Sequence, residues 1–540
     1  MKKYLFIALA ALGFAACTEK GEENTPVQNA ELEQSYVAVT FAADDATRAD
    51  DYVVGTDVER AVKSAYVFFF QNGEAFTVAS KESHPGEVNY VSVLDHINDT
   101  PNNPEGDAMN NVSDIKDTVL VLENYKGEYP THVIAVINWE PENKAYSLAD
   151  LKAEISALGN DANGYVMSNS VYLNGSGETV DAVALVEGNI AKDADAAKAN
   201  PITIHVERVA AKVEYPADTN GVLFDIKRTI EDTVEKTGNN AAEVTKVFAK
   251  ITGFELYNDY EKSWLVKKVA ENWGLGDAVL GFNWNESGRY RSFWATSLDS
   301  EFPANTFAWG TDNIEVGGYT YLGENTREWS ETNDVRTKVI VKAQLVEEDG
   351  VTPVEVVNWW GKDYVGEDHL KIVVANTLKN LYFTYNGTEY VGLAPEDITC
   401  CPRATGDENA YEVFFEISQA SKGKTWYKYM DSKYDTIALD DLNVELKKDV
   451  QPALVYKNGM TYYYTDIKHL PSTKEATKYG VVRNHIYRVN INTIEGYGTP
   501  VYDPNIAFET PEQPKDIVTF VAAEIKILSW RVVENNYDLN

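Results

Sequence analysis

The sequence predicts a mainly β protein with two antiparallel β-sandwich-like domains and a few short helices. Three observations support this fold class. Apolar residues recur with a period of two in many short runs, as at Ile202, Ile204 and Val206. Turn signals such as Gln71-Asn72-Gly73 close several of these runs. Helical spacing is rare, and 540 residues suffice for two or three domains.

The chain begins with the pattern of a lipoprotein signal. Met1-Lys2-Lys3 is basic, and the apolar run from Tyr4 to Phe14 is too short to span a bilayer. Small residues then precede Cys17, which is the predicted lipidation site, with residues 1–16 as the signal peptide. An ordinary secretory signal with an incidental cysteine is the alternative.

A single strand is predicted within residues 17–48. A polar tether leads to Tyr36–Phe41, where Val37, Val39 and Phe41 alternate on one face. The next segment is small, charged and suited to proteolysis, and it contains Arg48. The alternative is that Arg48 is an ordinary solvated residue with no role in cleavage.

We predict the first β domain over residues 49–216. One helix is predicted from Ser147, where Asp150 completes a capping box and Leu151, Ile155 and Leu158 share a face. The predicted strands are Ala65–Phe70, Val119–Leu122, His132–Ile137 and Ile202–Val213.

We predict the second β domain over residues 217–540. It is predicted to open with a helix over Val222–Lys236, and Asn458-Gly459 predicts a hairpin. Tyr497–Lys515 contains four prolines and is predicted to be an extended spacer, not a packed element. The predicted strands are Val247–Leu256, Val339–Leu345, Lys371–Val374, Tyr411–Ile417, Ile486–Ile494 and Phe520–Val533.

Charge and cysteine content exclude several classes of partner and fold. The net charge of −36 argues against nucleic acid and anionic membrane surfaces. No other apolar run reaches membrane-helix length, so membrane attachment is predicted only through the lipid of the precursor. Besides Cys17, only the adjacent Cys400 and Cys401 are present; loop thiols are predicted, with a strained vicinal disulfide as the alternative.

The sequence predicts no enzyme activity. It contains no HExxH, P-loop or GxSxG motif, and its seven histidines are scattered, so no catalytic residue, metal ligand or cofactor is predicted. Asp95–Asp107 is rich in oxygen ligands but lacks the regular spacing of a calcium loop, and a solvated loop is favoured. Aromatic residues such as Trp359 and Trp360 are interpreted as core residues, and stacking on sugars is the alternative.

Six stretches of the chain carry a family resemblance through their residues and their order. They are Phe14–Cys17, Tyr36–Arg48, Val206–Lys212, Tyr321–Thr326, Val481–Tyr487 and Glu524–Val532. Together they resemble the fimbrial shaft subunits of Bacteroidales, the type V pilins or fimbrillins, and in particular those of Porphyromonas minor fimbria. The insertion at Asp218–Ala242 and the vicinal cysteines depart from that pattern.

The resemblance implies transthyretin-like domains and a maturation step. A lipidated precursor would reach the outer membrane, where an arginine-specific protease would cut between Arg48 and Ala49, with Arg60 as the second choice. The cut would make residues 17–48 a propeptide and remove with it the strand that contains Tyr36, Val37, Val39 and Phe41. A donor strand at residues 517–533 of another copy would then fill the groove. The donor residues are Val521, Ala523, Ile525, Ile527 and Trp530.

The function implied is that of a shaft subunit of a surface fimbrium that supports adhesion and biofilm formation. Its partners would be other copies of itself, in a head-to-tail polymer, and accessory tip and anchor subunits. Two alternatives remain open: a monomeric surface lipoprotein that binds glycans or host ligands, and an accessory tip or anchor subunit. The last strand would, in the simplest alternative, complete the sheet of its own domain.

Overall fold

The protein folds into two β-sandwiches and one inserted module, so the prediction of a mainly β fold is confirmed. No helix among the described residues is both long and apolar enough to cross a membrane. The computed structural model describes residues 33–42, 52–53, 55–78, 88–94, 118–124, 129–173, 178–186, 188–215, 217–228, 230, 246–269, 295–298, 308–311, 314–327, 335–403, 412–469, 479–506 and 530–539.

In the first part of the chain, the described residues form short strands and three short helices with defined bounds. The helices are α1 (Asp57–Arg60), α2 (Leu148–Ala153) and α3 (Ala194–Ala199). The strands are β1 (Glu33–Ala42), β2 (Tyr52–Val53), β3 (Ala65–Gln71), β4 (Glu74–Ala75), β5 (Tyr90–Ser92), β6 (Thr118–Asn124), β7 (His132–Ile137), β8 (Ile155–Ala157), β9 (Gly159–Asn160), β10 (Gly164–Tyr165), β11 (Met167–Asn169), β12 (Tyr172–Leu173), β13 (Thr179–Val180), β14 (Val183–Ala184), β15 (Ile190–Ala191), β16 (Ile202–Arg208) and β17 (Ala211–Glu214).

The first sandwich is formed by β1, β3–β7, β11 and β14–β16. Its main path runs β15-β1-β16-β11-β7-β3-β4, while β6 pairs with β1, β5 with β3 and β14 with β7. Alternate residues of these strands point into one apolar core, which includes Val67, Leu120, Val133 and Ile204. The pairing of β1 with β16 is parallel, so the sandwich is not purely antiparallel.

The rest of the chain adds two longer helices and eighteen strands within the described residues. The helices are α4 (Glu367–Leu378) and α5 (Leu439–Asp449). The strands are β18 (Leu223–Ile226), β19 (Val247–Tyr257), β20 (Lys262–Trp264), β21 (Tyr319–Leu322), β22 (Lys338–Val346), β23 (Val356–Trp359), β24 (Lys362–Val365), β25 (Tyr382–Tyr385), β26 (Tyr390–Gly392), β27 (Ile398–Pro402), β28 (Glu412–Ile417), β29 (Trp426–Met430), β30 (Lys433–Ile437), β31 (Ala453–Val455), β32 (Met460–Asp466), β33 (His485–Ile494), β34 (Thr499–Pro500) and β35 (Trp530–Leu539).

The second sandwich packs two five-stranded sheets around one core. Their orders are β2-β35-β33-β17-β21 and β18-β19-β22-β32-β34. The core contains Val213, Phe254, Val341 and Tyr487. Residues 211–214 therefore lie in the second sandwich, ahead of the predicted boundary at residue 216, and β2 from residues 52–53 lies there too.

A module of residues 347–459 is inserted between the neighbouring strands β22 and β32 of the second sandwich. It holds a five-stranded sheet, β24-β23-β31-β28-β27, and a four-stranded sheet, β26-β25-β29-β30. Both sheets and helices α4 and α5 contribute to a third core, which includes Trp426, Leu370 and Leu446. The sequence reasoning did not predict this module.

Two predicted helices and one predicted strand differ from the structure. The capping box of Ser147 and Asp150 is present, but α2 ends at Ala153, and β8 begins two residues later at Ile155. The helix predicted from Val222 is wrong over residues 223–226, which pair with β19 because alternate side chains there reach the core. The strand predicted at Lys371–Val374 is part of α4, whose Leu370, Val374 and Leu378 share one buried face.

The hairpin predicted at Asn458-Gly459 is also wrong. Both residues have positive φ, 51° and 75°, as in a tight hairpin turn, but the flanking strands β31 and β32 belong to different sheets. The predicted spacer is partly packed, since Tyr497 and Val501 are buried and β34 pairs with β32. Residues 507–515 lie outside the described residues.

Candidate assembly site

Strand β1 is enclosed on both edges within the first sandwich. Along one edge it pairs antiparallel with β6, from Glu33 opposite Asn124 to Val39 opposite Thr118. Along the other edge it pairs with β15 over two residues and then runs parallel to β16 from Val39 to Ala42. The strand predicted at Tyr36–Phe41 is thus present and extends to Glu33–Ala42.

The middle of β1 supplies part of the core. Val37 and Val39 are fully buried among the apolar residues of the first sandwich. Ala38, on the opposite face, is also fully buried, and α3 packs against the strand. Burying a valine side chain contributes about 1.5–3 kcal/mol, so these two valines hold β1 in place together with its backbone pairing.

Residues 43–51 join the two sandwiches, because β1 lies in the first and β2 in the second. The predicted cleavage residues Arg48 and Ala49 fall in this connection and outside the described residues, as does Cys17. The second-choice residue Arg60 ends α1, where its guanidinium forms an ion pair with Asp57. Helix α1 is fixed by a capping box between Thr56 and Glu59, so Arg60 is a folded site.

The carboxyl-terminal strand β35 lies in the second sandwich of its own chain. It runs parallel to β33, from Arg531 opposite His485 to Leu539 opposite Ile494. Among the described residues, its other edge is paired only at Trp530 and Arg531, with β2. Trp530 therefore occupies an intramolecular sheet, whereas the other predicted donor residues, Val521, Ala523, Ile525 and Ile527, lie outside the described residues.

A buried network of charges lies where the two sandwiches meet. Arg483 donates from Nε to Glu324 Oε2 at 2.7 Å, and its Nη2 donates to the carbonyl of Trp264 at 2.7 Å. Nearby, the Nζ of Lys267 lies 2.8 Å from Glu207, and both side chains are buried. Because a buried charge is costly without a partner, these pairs fix the relative placement of the segments that carry them.

Glu59 of α1 forms a second polar contact across the same junction. Its carboxylate accepts from the Tyr321 hydroxyl at 2.5 Å and lies 3.0 Å from Lys212 Nζ. Burial opposes ionisation of Glu59, but the Tyr321 hydrogen bond and the Lys212 charge together lower its pKa below the ordinary value. Arg208 adds a hydrogen bond from its Nε to the Glu59 carbonyl at 2.8 Å.

The junction residues were not predicted as a site, although a signal for them was present. Three of the stretches on which the family resemblance rests, 206–212, 321–326 and 481–487, supply Glu207, Lys212, Tyr321, Glu324 and Arg483. Each stretch places charged residues next to apolar strand residues, which is typical of paired charges in a β-sheet interior. Spacing along the chain does not reveal which of these charges pair.

Other predicted features are placed as follows. Cys400 and Cys401 lie on β27 and not in a loop, and both are free thiols. Trp359 is buried, as predicted, but Trp360 is 70% exposed. The Asp95–Asp107 loop lies outside the described residues. Within the described residues, no group of three or more His, Cys, Asp or Glu side chains is arranged to hold a metal ion.

The fold and the site define a mainly β protein of two sandwiches, with its first and last described strands in different sandwiches. Residues 454–536, from β31 into β35, match the family model described as "Major fimbrial subunit protein type IV, Fimbrillin, C-terminal". The carboxyl-terminal region is therefore similar to that of fimbrillins, and the predicted family resemblance is confirmed there. No curated protein sequence is significantly similar to this chain.

Several solved structures are similar to parts or most of the chain. A fimbrilin (fimA) from Porphyromonas gingivalis is 12% identical, with a TM-score of 0.34 over 95% of this chain and 99% of that one. A fimbrial assembly protein from Parabacteroides distasonis is 11% identical, with a TM-score of 0.25 over 74% and 100%. The tip fimbrial protein Mfa3 from Porphyromonas gingivalis is 13% identical, with a TM-score of 0.23 over 58% and 81%.

Proposed function

We propose that the protein is a structural shaft subunit of a surface fimbrium and that it polymerises by exchange of β-strands. The observation that carries the proposal is the position of β1, which is paired on both edges, fully buried at Val37 and Val39, and amino-terminal to Arg48. A cut after Arg48 leaves β1 attached to the rest of the subunit by noncovalent contacts alone.

Loss of β1 would open a groove along the first sandwich. One wall would be the edge of β6, and the other wall would be β15 and β16. Each wall would present backbone N–H and C=O groups without partners, and the floor would expose the apolar positions that Val37 and Val39 now cover. A strand with alternating apolar residues restores both kinds of contact.

The carboxyl-terminal segment of a second copy is the proposed donor. In residues 517–533, Val521, Ala523, Ile525 and Ile527 alternate as Val37, Val39 and Phe41 do. In the part of the chain that the structure describes, the outer edge of the start of β35 pairs only with β2, which begins four residues after Arg48. Since each subunit would accept one strand and donate another, the contact is head-to-tail and produces a filament.

Maturation would follow the order of the amino-terminal features. Cys17 would carry the lipid that places the precursor at the outer membrane, and an arginine-specific protease would then release the subunit from it. Tip and anchor subunits of the same fimbrium would bind the two ends of the polymer. Adhesion and biofilm formation would be properties of the assembled filament.

The first experiment tests cleavage. We expect the purified precursor to form an SDS-resistant ladder after limited digestion by an arginine-specific protease. Arg48→Ala should abolish the ladder, whereas Arg60→Ala should leave it intact. If Arg48→Ala still polymerises and Arg60→Ala does not, the cut lies at Arg60. If the cleaved protein stays monomeric, the proposal is wrong and the monomeric surface lipoprotein is favoured.

The second experiment locates the donor. Asn490 and Asn536 are register partners on the parallel strands β33 and β35, so Asn490→Cys with Asn536→Cys places two thiols within disulfide range. If residues 530–533 take part in donation, the oxidised variant should polymerise poorly and recover with reductant. Equal polymerisation in both states would limit the donor to residues before Trp530. Each single variant serves as the control.

The third experiment tests the groove directly. A peptide with the sequence of Glu33–Ala42 should compete with the donor strand and shorten the ladder formed by cleaved subunits. The same peptide with Val37→Asp and Val39→Asp should not compete, because it would bury two charges in an apolar core. Equal effects of both peptides would show that the β1 groove does not receive the donor.

A further inference from the structure

The four-stranded sheet of the inserted module presents one face made almost entirely of aromatic residues. Tyr382 and Trp426 point into the core of the module, so their sheet neighbours point away from it. The outward positions contain no charged residue; we call them the tyrosine face. They are Phe383, Tyr385, Tyr390, Gly392, Tyr427, Tyr429, Tyr434 and Thr436.

The rings of the tyrosine face contact one another in a fixed arrangement. Tyr390 and Tyr434 stack at 3.8 Å between centroids with an angle of 2° between their planes. Tyr434 also contacts Phe383 at 5.0 Å and Tyr429 at 4.8 Å. Since Tyr390 and Tyr434 lie on the two outermost strands, β26 and β30, their contact joins the rings into one cluster across the sheet.

This cluster remains open to solvent, and its hydroxyl groups are unused by the described protein. The exposed fractions of Tyr385, Tyr390, Tyr429 and Tyr434 are 48%, 38%, 38% and 38%. None of these four hydroxyls makes a hydrogen bond to another described residue. If an apolar protein surface covered this face, the four hydroxyl groups would be buried without hydrogen-bond partners. Each unpaired hydroxyl would then cost binding free energy, so an apolar protein surface is a poor ligand for this face.

The charge of the chain restricts what the tyrosine face accepts. A protein of net charge −36 repels anionic ligands. The outward positions of the face carry no carboxylate or amine that could form an ion pair with a charged ligand. The face is complementary to a neutral ligand that has apolar patches to stack on rings and hydroxyl groups to bond to phenols.

We propose that the tyrosine face of the inserted module binds a neutral carbohydrate chain. Pyranose rings have apolar C–H faces for stacking and equatorial hydroxyls that donate to and accept from tyrosine. The stacked rings are already in place, so little side-chain entropy is lost on binding. This site is separate from β1 and β35, so the proposal does not depend on polymerisation.

The test uses the full-length precursor without its lipid, titrated with neutral oligosaccharides. The probes are linear glucan, mannan, galactan and chitin oligomers, with polygalacturonate and sialyllactose as acidic probes. We expect at least one neutral probe to bind and the acidic probes not to bind. Tyr390→Ala with Tyr434→Ala should weaken that binding about tenfold or more. Trp360→Ala, which removes an exposed aromatic outside the face, should leave it unchanged.

One further variant separates the effect of ring stacking from those of hydrogen bonding and of misfolding. Tyr390→Phe with Tyr434→Phe keeps the rings, so it should weaken binding less than the alanine variant while leaving the melting temperature unchanged. The proposal is overturned if no neutral probe binds, if the acidic probes bind more tightly, or if the Trp360 and alanine variants lose affinity equally. Self-association of the precursor that the alanine variant abolishes would instead identify a second copy as the occupant.

Discussion

Arg483 and Glu324 form an ion pair of 2.7 Å in which both side chains are fully buried. The same guanidinium donates to the carbonyl of Trp264, the last residue of β20, and to the carbonyl of Leu265, which follows it. Strand β20 in turn pairs with β8 of the first part of the chain. One arginine thus links the second sandwich to a strand pair that spans both parts.

Breaking this pair should destabilise the protein strongly. Arg483→Met leaves the Glu324 carboxylate buried without its cation, so we expect a loss of about 3–5 kcal/mol in the free energy of unfolding. Urea unfolding followed by tryptophan fluorescence measures the loss. The matched control is Lys246→Ala, which breaks an exposed pair with Asp225 and should change stability by less than about 1 kcal/mol. Equal losses in both variants would contradict the role assigned to burial.

The contribution of Glu59 should depend on pH. Its pKa in the folded protein lies below the ordinary value of 4.5, so its charge stabilises the fold above that pH and less as pH falls through the lowered pKa. We expect Glu59→Gln to be destabilising at pH 7 and progressively less so below pH 4.5. The measurement is the difference in unfolding free energy between the two proteins across this range. A difference that does not change with pH would exclude the charge as the cause.

Gly459 should tolerate alanine far less well than Gly361. Both have positive φ, 75° and 73°, which costs an L-residue about 1–2 kcal/mol. At Gly459 a Cβ would also lie 2.3 Å from the Leu345 carbonyl oxygen, whereas nothing lies within 4 Å at Gly361. Gly459→Ala should therefore lower the melting temperature clearly more than Gly361→Ala. Similar shifts would show that the backbone around Leu345 moves aside.

The two adjacent thiols should differ in reactivity. Burial raises the pKa of both cysteines, and Cys400 is buried whereas Cys401 is half-buried. We expect iodoacetamide at pH 8 to label Cys401 first and Cys400 only after unfolding, as read by peptide mass spectrometry. Protein unfolded in guanidinium, in which both should label alike, is the control. A vicinal disulfide in the folded protein would contradict the free thiols seen on β27.

Much of the strand content was predictable because it rests on local alternation. His132–Ile137 was predicted to the residue, and Ala65–Phe70 to within one. Helix α4 was mistaken for a strand, since Lys371–Val374 is a short apolar run that fits both structures. Its spacing of four between Leu370, Val374 and Leu378, with Glu367 and Asp368 in the first turn, was the signal that distinguishes them.

The assembly site was only partly predictable for a different reason. The strand containing Val37 and Val39 is visible from its own residues, but its partners β6 and β16 lie far along the chain. Likewise, the pairing of Arg483 with Glu324 joins residues 159 positions apart. The pair Asn458-Gly459 has positive φ values, but local turn residues do not show that the flanking strands belong to different sheets, so the predicted hairpin is wrong.

The inserted module leaves the second sandwich at the end of β22 and returns at the start of β32, where Gln344 is the register partner of Met460. Two adjacent backbone positions thus bound more than a hundred residues. Val354, Val356 and Tyr456 of the module belong to the core of the second sandwich, so substitutions at these positions would disturb it. The solvent-facing residues of the module can change without altering the pairing of β22 with β32.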